Sequence, residues 1–491
     1  MTGVLLWFRR DLRLTDNPAL EAALTGATRL LPVYIHAPDE EAPWQPGAAS
    51  RWWLDRSLTE LDRSLRRLGS RLIIRQGSSL QTLQQLCMDH RLGHVCWNRL
   101  YDPSIRERDS RIKASLRTDG LHCESFNTAL LFEPWQLQTH QGSPYRVFSA
   151  FWRACIQTGI SAHTPIPCPK SLPKLPAGVK TLSIEQLELK PKIPWDGGLQ
   201  AQWRPGETGA LERLAQFLDE TVDGYADQRD LPARSGTSRL SPHLHFGEIG
   251  PRQVLQGIRA RMALELTIKG GSGSGVFVRE LGWREFAHHL LYHYPYTDAQ
   301  PLDSRFQHFP WQWDEQAGAT LQAWQRGETG IPIVDAGMRE LWQTGWMHNR
   351  VRMIVSSFLT KNLGVHWLEG ARWFWDTLVD ADLANNSLGW QWTAGCGADA
   401  APFFRIFNPV RQSERFDPKG DYLRSWLPEL SGLSDQQIHA PWQVDSGLLP
   451  GVGIRLGRDY PLPLVDLKSS RRQALEAWEA TKNVERQDQN E

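Results

Sequence analysis

Two hydrophobic periods divide this chain, and each dictates a different kind of core. Residues 1–126 alternate short apolar runs with amphipathic segments near 48–69, 79–91 and 103–118. The runs are VLLWF (4–8), RLLPVYI (29–35), RLIIRQ (71–76), HVCW (94–97) and LHCESF (121–126). Such alternation predicts a parallel, doubly wound sheet. Asp16 and Asn17 ahead of Pro18 mark a helix start, because a first-turn proline gives up only an N–H that has no intrahelical partner. From about 207 onward apolar residues recur three and four apart, as in 207–220, 277–293, 334–347, 349–363 and 370–380, and no strand-like alternation competes. The stretch between is proline-rich and poorly periodic, which reads as a connector. The expected architecture is an α/β N-terminal doubly wound parallel sheet (1–130), an inter-domain connector (131–206), a larger all-helical C-terminal domain (207–480) and a polar tail (481–491).

With 491 residues, the chain can bury large cores without disulfide or metal staples. No apolar run approaches the roughly 18–20 residues of a membrane span. The opening MTGVLLWFRR lacks a basic stretch ahead of its short apolar run, so no signal peptide is expected. Six cysteines (Cys87, Cys96, Cys123, Cys155, Cys168, Cys396) form no CxxC pair, which predicts reduced thiols in a cytoplasmic protein and no structural zinc. Lys+Arg and Asp+Glu balance at 55 each, so any nucleic-acid binding must come from a local basic patch. No GxGxxG follows the first strand, which excludes the ordinary dinucleotide fingerprint. GGSGSG (270–275) reads as a flexible loop; no Lys-Ser/Thr follows to make it a phosphate cradle.

Three clusters in the helical part exceed what packing needs. In GTSRLSPHLHFGEIGPRQ (236–253), Ser241 before Pro242 reads as an N-cap with a first-turn proline. A helix start of this kind suits a phosphate, although a plain capped turn has the same signature. In GWMHNRVRM (345–353), helical spacing puts Trp346, Asn349 and Met353 on one face, with Arg350 beside Met353 and Arg352 about 200° away. In 380–412, Asp380 and Asp382 have no histidine or third carboxylate nearby in sequence, so hydrogen bonds to a polar ligand, or a pair with Arg352, fit better than a metal.

Taken together, WFRRDLRLTDNPAL (7–20), QRDLPARSGTSRLSPHLHFGE (228–248), WREF (283–286), GWMHNRVRM, LGWQW (388–392) and RIFNP (405–409) resemble, in order and spacing, the photolyase/cryptochrome flavoproteins. The resemblance spans 1–480 and is strongest to bacterial photolyases that repair cyclobutane pyrimidine dimers. It implies light-driven repair by electron transfer from reduced FAD to a flipped-out dimer. The alternatives are a cryptochrome-like photoreceptor without repair, or a (6-4) photolyase; the latter group typically carries a further histidine where this chain has Asn349.

By the same resemblance, Tyr225 and Thr237, Ser238, Arg239, Leu240 and Ser241 contact the FAD pyrophosphate and its surroundings, with Asn349 also at the cofactor. Arg352 pairs with Asp380 beside the flavin ring, Asp382 binds the ring or ribitol edge, and Asn386 faces flavin N5. Plant-type cryptochromes place Asp at that position; an Asn amide cannot donate a proton there at neutral pH. The dimer pocket takes Glu280, Trp283, Asn349, Arg350, Met353 and Trp392, where stacking on the two indoles is worth about 1–3 kcal/mol per base against a flipping cost of a few kcal/mol. Arg229, Arg350, Arg405 and Gln412 meet the DNA backbone or the pocket rim, together with Glu280, Trp283 and Trp392, so binding should weaken with salt. Trp390 and Trp367 resemble the photoreduction relay, with either Trp311 or Trp313 as its outer member. An antenna chromophore, methenyltetrahydrofolate or a deazaflavin, belongs to the N-terminal domain in this family. Ser104 and Ile105 in YDPSIRERD depart from the Asn-Glu pair of one folate mode, and Glu133 and Trp135 are an alternative folate contact. The resemblance implies UV-damaged DNA as the partner; no metal, no membrane association and no obligate protein partner are expected, and the chain is expected to be a monomer.

Overall fold

The computed structural model describes residues 2–160, 164–262, 272–399 and 404–488. The chain divides into two compact units, each assembled from separate stretches: Met1–Ala226, Ser238–Pro295 and Val379–Leu383 in the first, and Asp227–Thr237, Tyr296–Leu378 and Ala384–Glu491 in the second.

The first unit contains the sheet. Its strands β1 (Thr2–Phe8), β2 (Ala27–His36), β3 (Ile73–Gln76), β4 (His94–Asn98) and β5 (His122–Phe126) are all parallel and run in the order β3-β2-β1-β4-β5. Each predicted apolar run becomes one strand. Side chains alternate between sheet faces, so Leu5, Trp7, Val95, Trp97 and Cys123 share one buried face, clustered with Leu83, Leu86, Ile112 and Leu116 of helices Ser79–His90 and Pro103–Thr118. Burying each large apolar side chain is worth about 1.5–3 kcal/mol. Asn17 caps helix Pro18–Leu24 as expected, accepting from Leu20 N at 3.1 Å.

Three expectations change within this unit. The segment read as a connector contains helix Phe148–Thr158, whose buried Phe148, Phe151, Trp152 and Cys155 follow helical spacing inside an otherwise proline-rich stretch. Phe148 and Phe151 meet Phe286 of helix Gly273–His293 at 5.8 and 5.2 Å between ring centres. A Cβ on Gly282 would lie 2.5 Å from the Trp152 ring, so only glycine permits this approach. The C-terminal part of the glycine-rich stretch is helical: Ser272 accepts from Gly275 N at 3.2 Å and starts helix Gly273–His293, while 270 and 271 lie outside the described residues. The cap and the long buried helix behind it outweigh roughly 1 kcal/mol per glycine. Finally, Leu240 rather than Ser241 is the cap of the short helix Ser241–His245, since Ser241 is already its first residue, two past Arg239 with its left-handed φ of 52°.

The second unit is helical. It includes Asp314–Arg326, Pro332–Thr344, Asn349–Ser357, Trp367–Thr377, most of Leu383–Ala394, Pro409–Phe416 and Leu467–Asp488. The last of these carries the expected polar tail as helix up to residue 488. Trp346 does not share a helical face with Asn349 and Met353. Gly345, at φ 67°, closes helix Pro332–Thr344, and His348 caps the next helix by accepting from Arg350 N at 3.2 Å. Trp346 therefore sits in the turn between the two. Among the described residues no helix is long and apolar enough to cross a membrane. The six cysteines are free thiols and only Cys168 is exposed.

Candidate functional site

The residues singled out from the sequence fall on both units. In the first, Tyr225 is buried edge-on against Phe217 and Phe277, at 5.8 and 5.3 Å. Ser238 and Arg239 are half-buried and Leu240 is buried. Ser238 Oγ accepts from Leu240 N at 3.4 Å, and Arg239 Nη1 donates to Gln202 Oε1 at 3.1 Å; Ser241 is exposed. Asp380 is buried. Asp382 lies 3.4 Å from His288 Nε2 and 3.7 Å from His245 Nδ1. Burial opposes its ionisation, yet His288, His245 and Arg284 outweigh burial and hold its carboxyl well below the usual range. The two histidines were not singled out from the sequence. Their only signal was a buried carboxylate in need of partners, and SPHLHFGE and FAHHL stand far from it in the chain.

Glu280 and Trp283 lie three residues apart on helix Gly273–His293, and both are half-buried. Trp283 stacks on Phe148 with ring centres 3.7 Å apart and planes 9° from parallel. One indole face is thereby occupied, and only the other can receive a base.

In the second unit, Thr237 is half-buried and Asn349 is exposed at the start of helix Asn349–Ser357. Arg350 pairs with Asp230 at 2.9 Å and its Nη1 is 3.9 Å from Met353 Sδ. Arg352 turns away, as the helical period predicts, and its Nε donates to Met347 O at 2.7 Å. Arg229 lies 3.9 Å from the same Asp230. That carboxylate offsets one of the two positive charges expected to meet phosphate. Arg405 is exposed and its guanidinium sits 5.1 Å from the Phe407 ring; Gln412 is half-buried on helix Pro409–Phe416.

Helix Leu383–Ala394 makes contacts on two faces. Asn386 and Trp390, four apart, both meet helix Trp367–Thr377. Asn386 Nδ2 donates to Ala371 O at 3.0 Å, which leaves Oδ1, a pure acceptor, for a ligand. Gly370 lets Trp390 in, since a Cβ there would lie 2.0 Å from Trp390 Cη2. On the other face Gln391, also not singled out from the sequence, donates to Thr297 O and Gln300 O at 2.7 and 2.8 Å and accepts from Leu302 N at 2.9 Å. The glutamine between the two indoles of WQW thus fixes the helix rotation. Trp392 is half-buried and donates to Asp399 O at 3.2 Å.

Trp390 and Trp367 are 2% and 1% exposed, and both indole N–H groups are buried without a partner. Trp390 is flanked edge-on by Phe374 and Trp324 at 5.0 and 6.1 Å. Trp367 adjoins His366 at 5.5 Å. His366 in turn stacks on Trp313 at 3.9 Å and meets Trp311 edge-on at 5.4 Å. Both outer-relay candidates therefore touch the same imidazole. Burial, reinforced by Arg372, lowers His366 to about 4 and keeps it neutral at pH 7. Trp311 is half-buried, with its indole donating to Phe306 O at 3.2 Å, whereas Trp313 is 45% exposed.

Of the antenna residues, Ser104 and Ile105 open helix Pro103–Thr118. Glu133 is already engaged by Arg99 and by Tyr101 OH, the latter at 2.8 Å, and Trp135 is exposed beside Tyr292 at 5.5 Å.

The chemistry of each unit suits a flavin taken by itself: in the first, Asp382 is a carboxylate held ionised, and in the second, Asn386 Oδ1 is an amide acceptor whose Nδ2 is tied to Ala371 O. Comparison with known proteins agrees. The model of the FAD binding domain of DNA photolyase matches residues 277–480, and that of DNA photolyase matches 4–170. The deoxyribodipyrimidine photo-lyase of Agrobacterium fabrum is 46% identical over 98% of each chain. Cryptochrome-1 of Arabidopsis thaliana is 39% identical over 96% of this chain and 70% of its own. The crystal structure of a bacterial class III photolyase from Agrobacterium tumefaciens is similar with a TM-score of 0.93, at 45% identity over 98% of each chain. Fold and matched segments thus define a two-part flavoprotein whose cofactor is FAD. The chain belongs to the DNA photolyase/cryptochrome family.

Proposed function

We propose that this chain is a deoxyribodipyrimidine photolyase, a carbon–carbon lyase that splits cyclobutane pyrimidine dimers in UV-damaged DNA in the light. The near-full-length likeness to photo-lyases supports the family activity. The observation that favours repair over a photoreceptor role is Asn386, an amide held by its Nδ2–Ala371 O hydrogen bond, which has no titratable proton to give at neutral pH. When bound and reduced, FAD supplies the electron that opens the cyclobutane ring and takes it back afterwards. The protein's own residues do the rest. Arg352, Asp380, Asp382 and the 237–241 turn hold the cofactor. Trp392 and the free face of Trp283 receive the flipped bases, and Glu280, Asn349 and Met353 contact their edges. Arg229, Arg350, Arg405 and Gln412 hold the strand. The division into a 1–130 antenna-type domain and a 207–480 flavin and DNA domain is supported by the two family matches, 4–170 and 277–480. Five of six thiols are buried and all are unpaired, which fits a cytoplasmic enzyme, and we expect it to act as a monomer.

The test is illumination of the FAD-loaded protein with dimer-containing oligonucleotide. Restoration of intact pyrimidines in light, with none in darkness, is expected. Light-induced reduction of the flavin without repair would leave a photoreceptor instead. Within this reading Trp390→Phe should greatly slow photoreduction from the oxidised state but spare repair by chemically reduced enzyme. Loss of both would mean that the indole serves only packing against Gly370 and Phe374.

A further inference from the structure

Away from the flavin and dimer residues, four side chains of the first unit are arranged like a metal shell. In the parallel pair β4–β5, His94 stands opposite His122 and Cys96 opposite Glu124. Residues two apart on a strand project from the same face. HVC (94–96) and HCE (122–124) therefore set two imidazoles, a thiol and a carboxylate at the corners of a square on the edge strand and its neighbour. His94 Nε2 lies 3.1 Å from Cys96 Sγ and 3.1 Å from Glu124 Oε2. His122 Nε2 lies 3.3 Å from the same carboxylate oxygen, and the two imidazole rings are 4.5 Å apart. Donors around a tetrahedral zinc ion are about 3.3–3.8 Å from one another, given bonds of about 2.0–2.3 Å. The spacings among His94, Cys96 and Glu124 are near that shell, and His122, already 3.3 Å from Glu124, would turn in from the solvent side as the fourth donor. Cys96 is buried, His94 is half-buried and His122 is exposed, so the square runs from a buried thiol to an imidazole at the solvent mouth, an entry path for an ion. His94, Cys96 and Glu124 bring their donor atoms within 4.8 Å of one another, the one such group of three or more among the described residues, and His122 stands just outside it.

We propose that His94, Cys96, His122 and Glu124 form a binding site for a zinc-class divalent ion that pins the edge strand β5 to β4. A thiol with imidazoles selects zinc and its soft or borderline neighbours over magnesium or calcium, which prefer oxygen alone. The absence of CxxC pairs, which argues against structural zinc in the sequence, does not reach a site of this kind. Here each strand supplies two donors at a spacing of two, and the pairs meet only through strand register.

The test uses untagged FAD-loaded protein, stripped with a chelator, given Zn²⁺ alone and desalted. About one equivalent of zinc per chain should remain, with a sulfur donor in its X-ray absorption spectrum and a raised thermal unfolding midpoint. His122→Ala removes a mostly exposed ligand and should weaken retention at least about tenfold while FAD content stays unchanged. Cys96→Ser should remove the sulfur donor. If the serine variant fails to hold FAD, the alanine variant decides. No retained zinc in the parent protein, equal retention in His122→Ala, or a zinc spectrum without sulfur would overturn the site.

Discussion

Asn386→Asp is expected to change the photochemistry of the FAD-loaded protein more than any other single substitution of similar size. The amide Nδ2 now donates to Ala371 O at 3.0 Å. A carboxylate at that position would put an acceptor against an acceptor. The lost hydrogen bond and the unpaired oxygen cost about 1–3 kcal/mol, equivalent to a rise of roughly one to two pKa units, and partial burial acts in the same direction. A carboxyl whose pKa is raised keeps its proton to higher pH, so the variant offers a titratable proton where the parent's amide has none. Illumination should then build up long-wavelength absorbance that the parent lacks, and repair per absorbed photon should fall. The new absorbance should fade as pH rises through the carboxyl's pKa. An unchanged spectrum would remove Asn386 from flavin N5, while leaving the family and the fold untouched.

Asp335→Ala should be among the most destabilising changes in the helical unit. Asp335 is fully buried and accepts from Thr329 N at 2.7 Å, Thr329 Oγ1 at 2.6 Å, Gly330 N at 3.0 Å and Tyr460 OH at 2.6 Å. One carboxylate thereby ties the turn before helix Pro332–Thr344 to a segment 125 residues further along the chain. Removing it strands four donors where water is excluded. Unsatisfied buried groups cost about 1–3 kcal/mol each, and because the site relaxes they do not add fully, so a net loss of about 3–5 kcal/mol is expected. Asp335→Asn keeps the volume but turns one acceptor into a donor facing other donors, so it should be nearly as damaging. Urea unfolding followed by flavin release checks both. A midpoint equal to the parent's would mean that the network contributes nothing to stability.

Buried polar groups of this kind mark the boundary of what local sequence conveys. The five strands, the helix spans and the Asn17 cap follow from periodicity and cap chemistry, which act over two to four residues, and each reappears in the structure close to its expected position. The collinear motifs likewise carried the family. Helix Phe148–Thr158 had the right spacing but was masked by the prolines around it, and Trp346 had the right spacing but was cut off by Gly345. The roles of Asn386 and Gln391 depended on partners 15 and more than 80 residues away.

The chain's own order of residues thus determined which segments are strands and which are helices, and which side chains bear chemistry, because those properties are settled by neighbours along the backbone. Only the tertiary structure decided which of those side chains meet. The register that sets His94 opposite His122 and Cys96 opposite Glu124 comes from two strands joined across helix Pro103–Thr118, and register between distant strands is fixed by packing of the whole sheet, which no local period records.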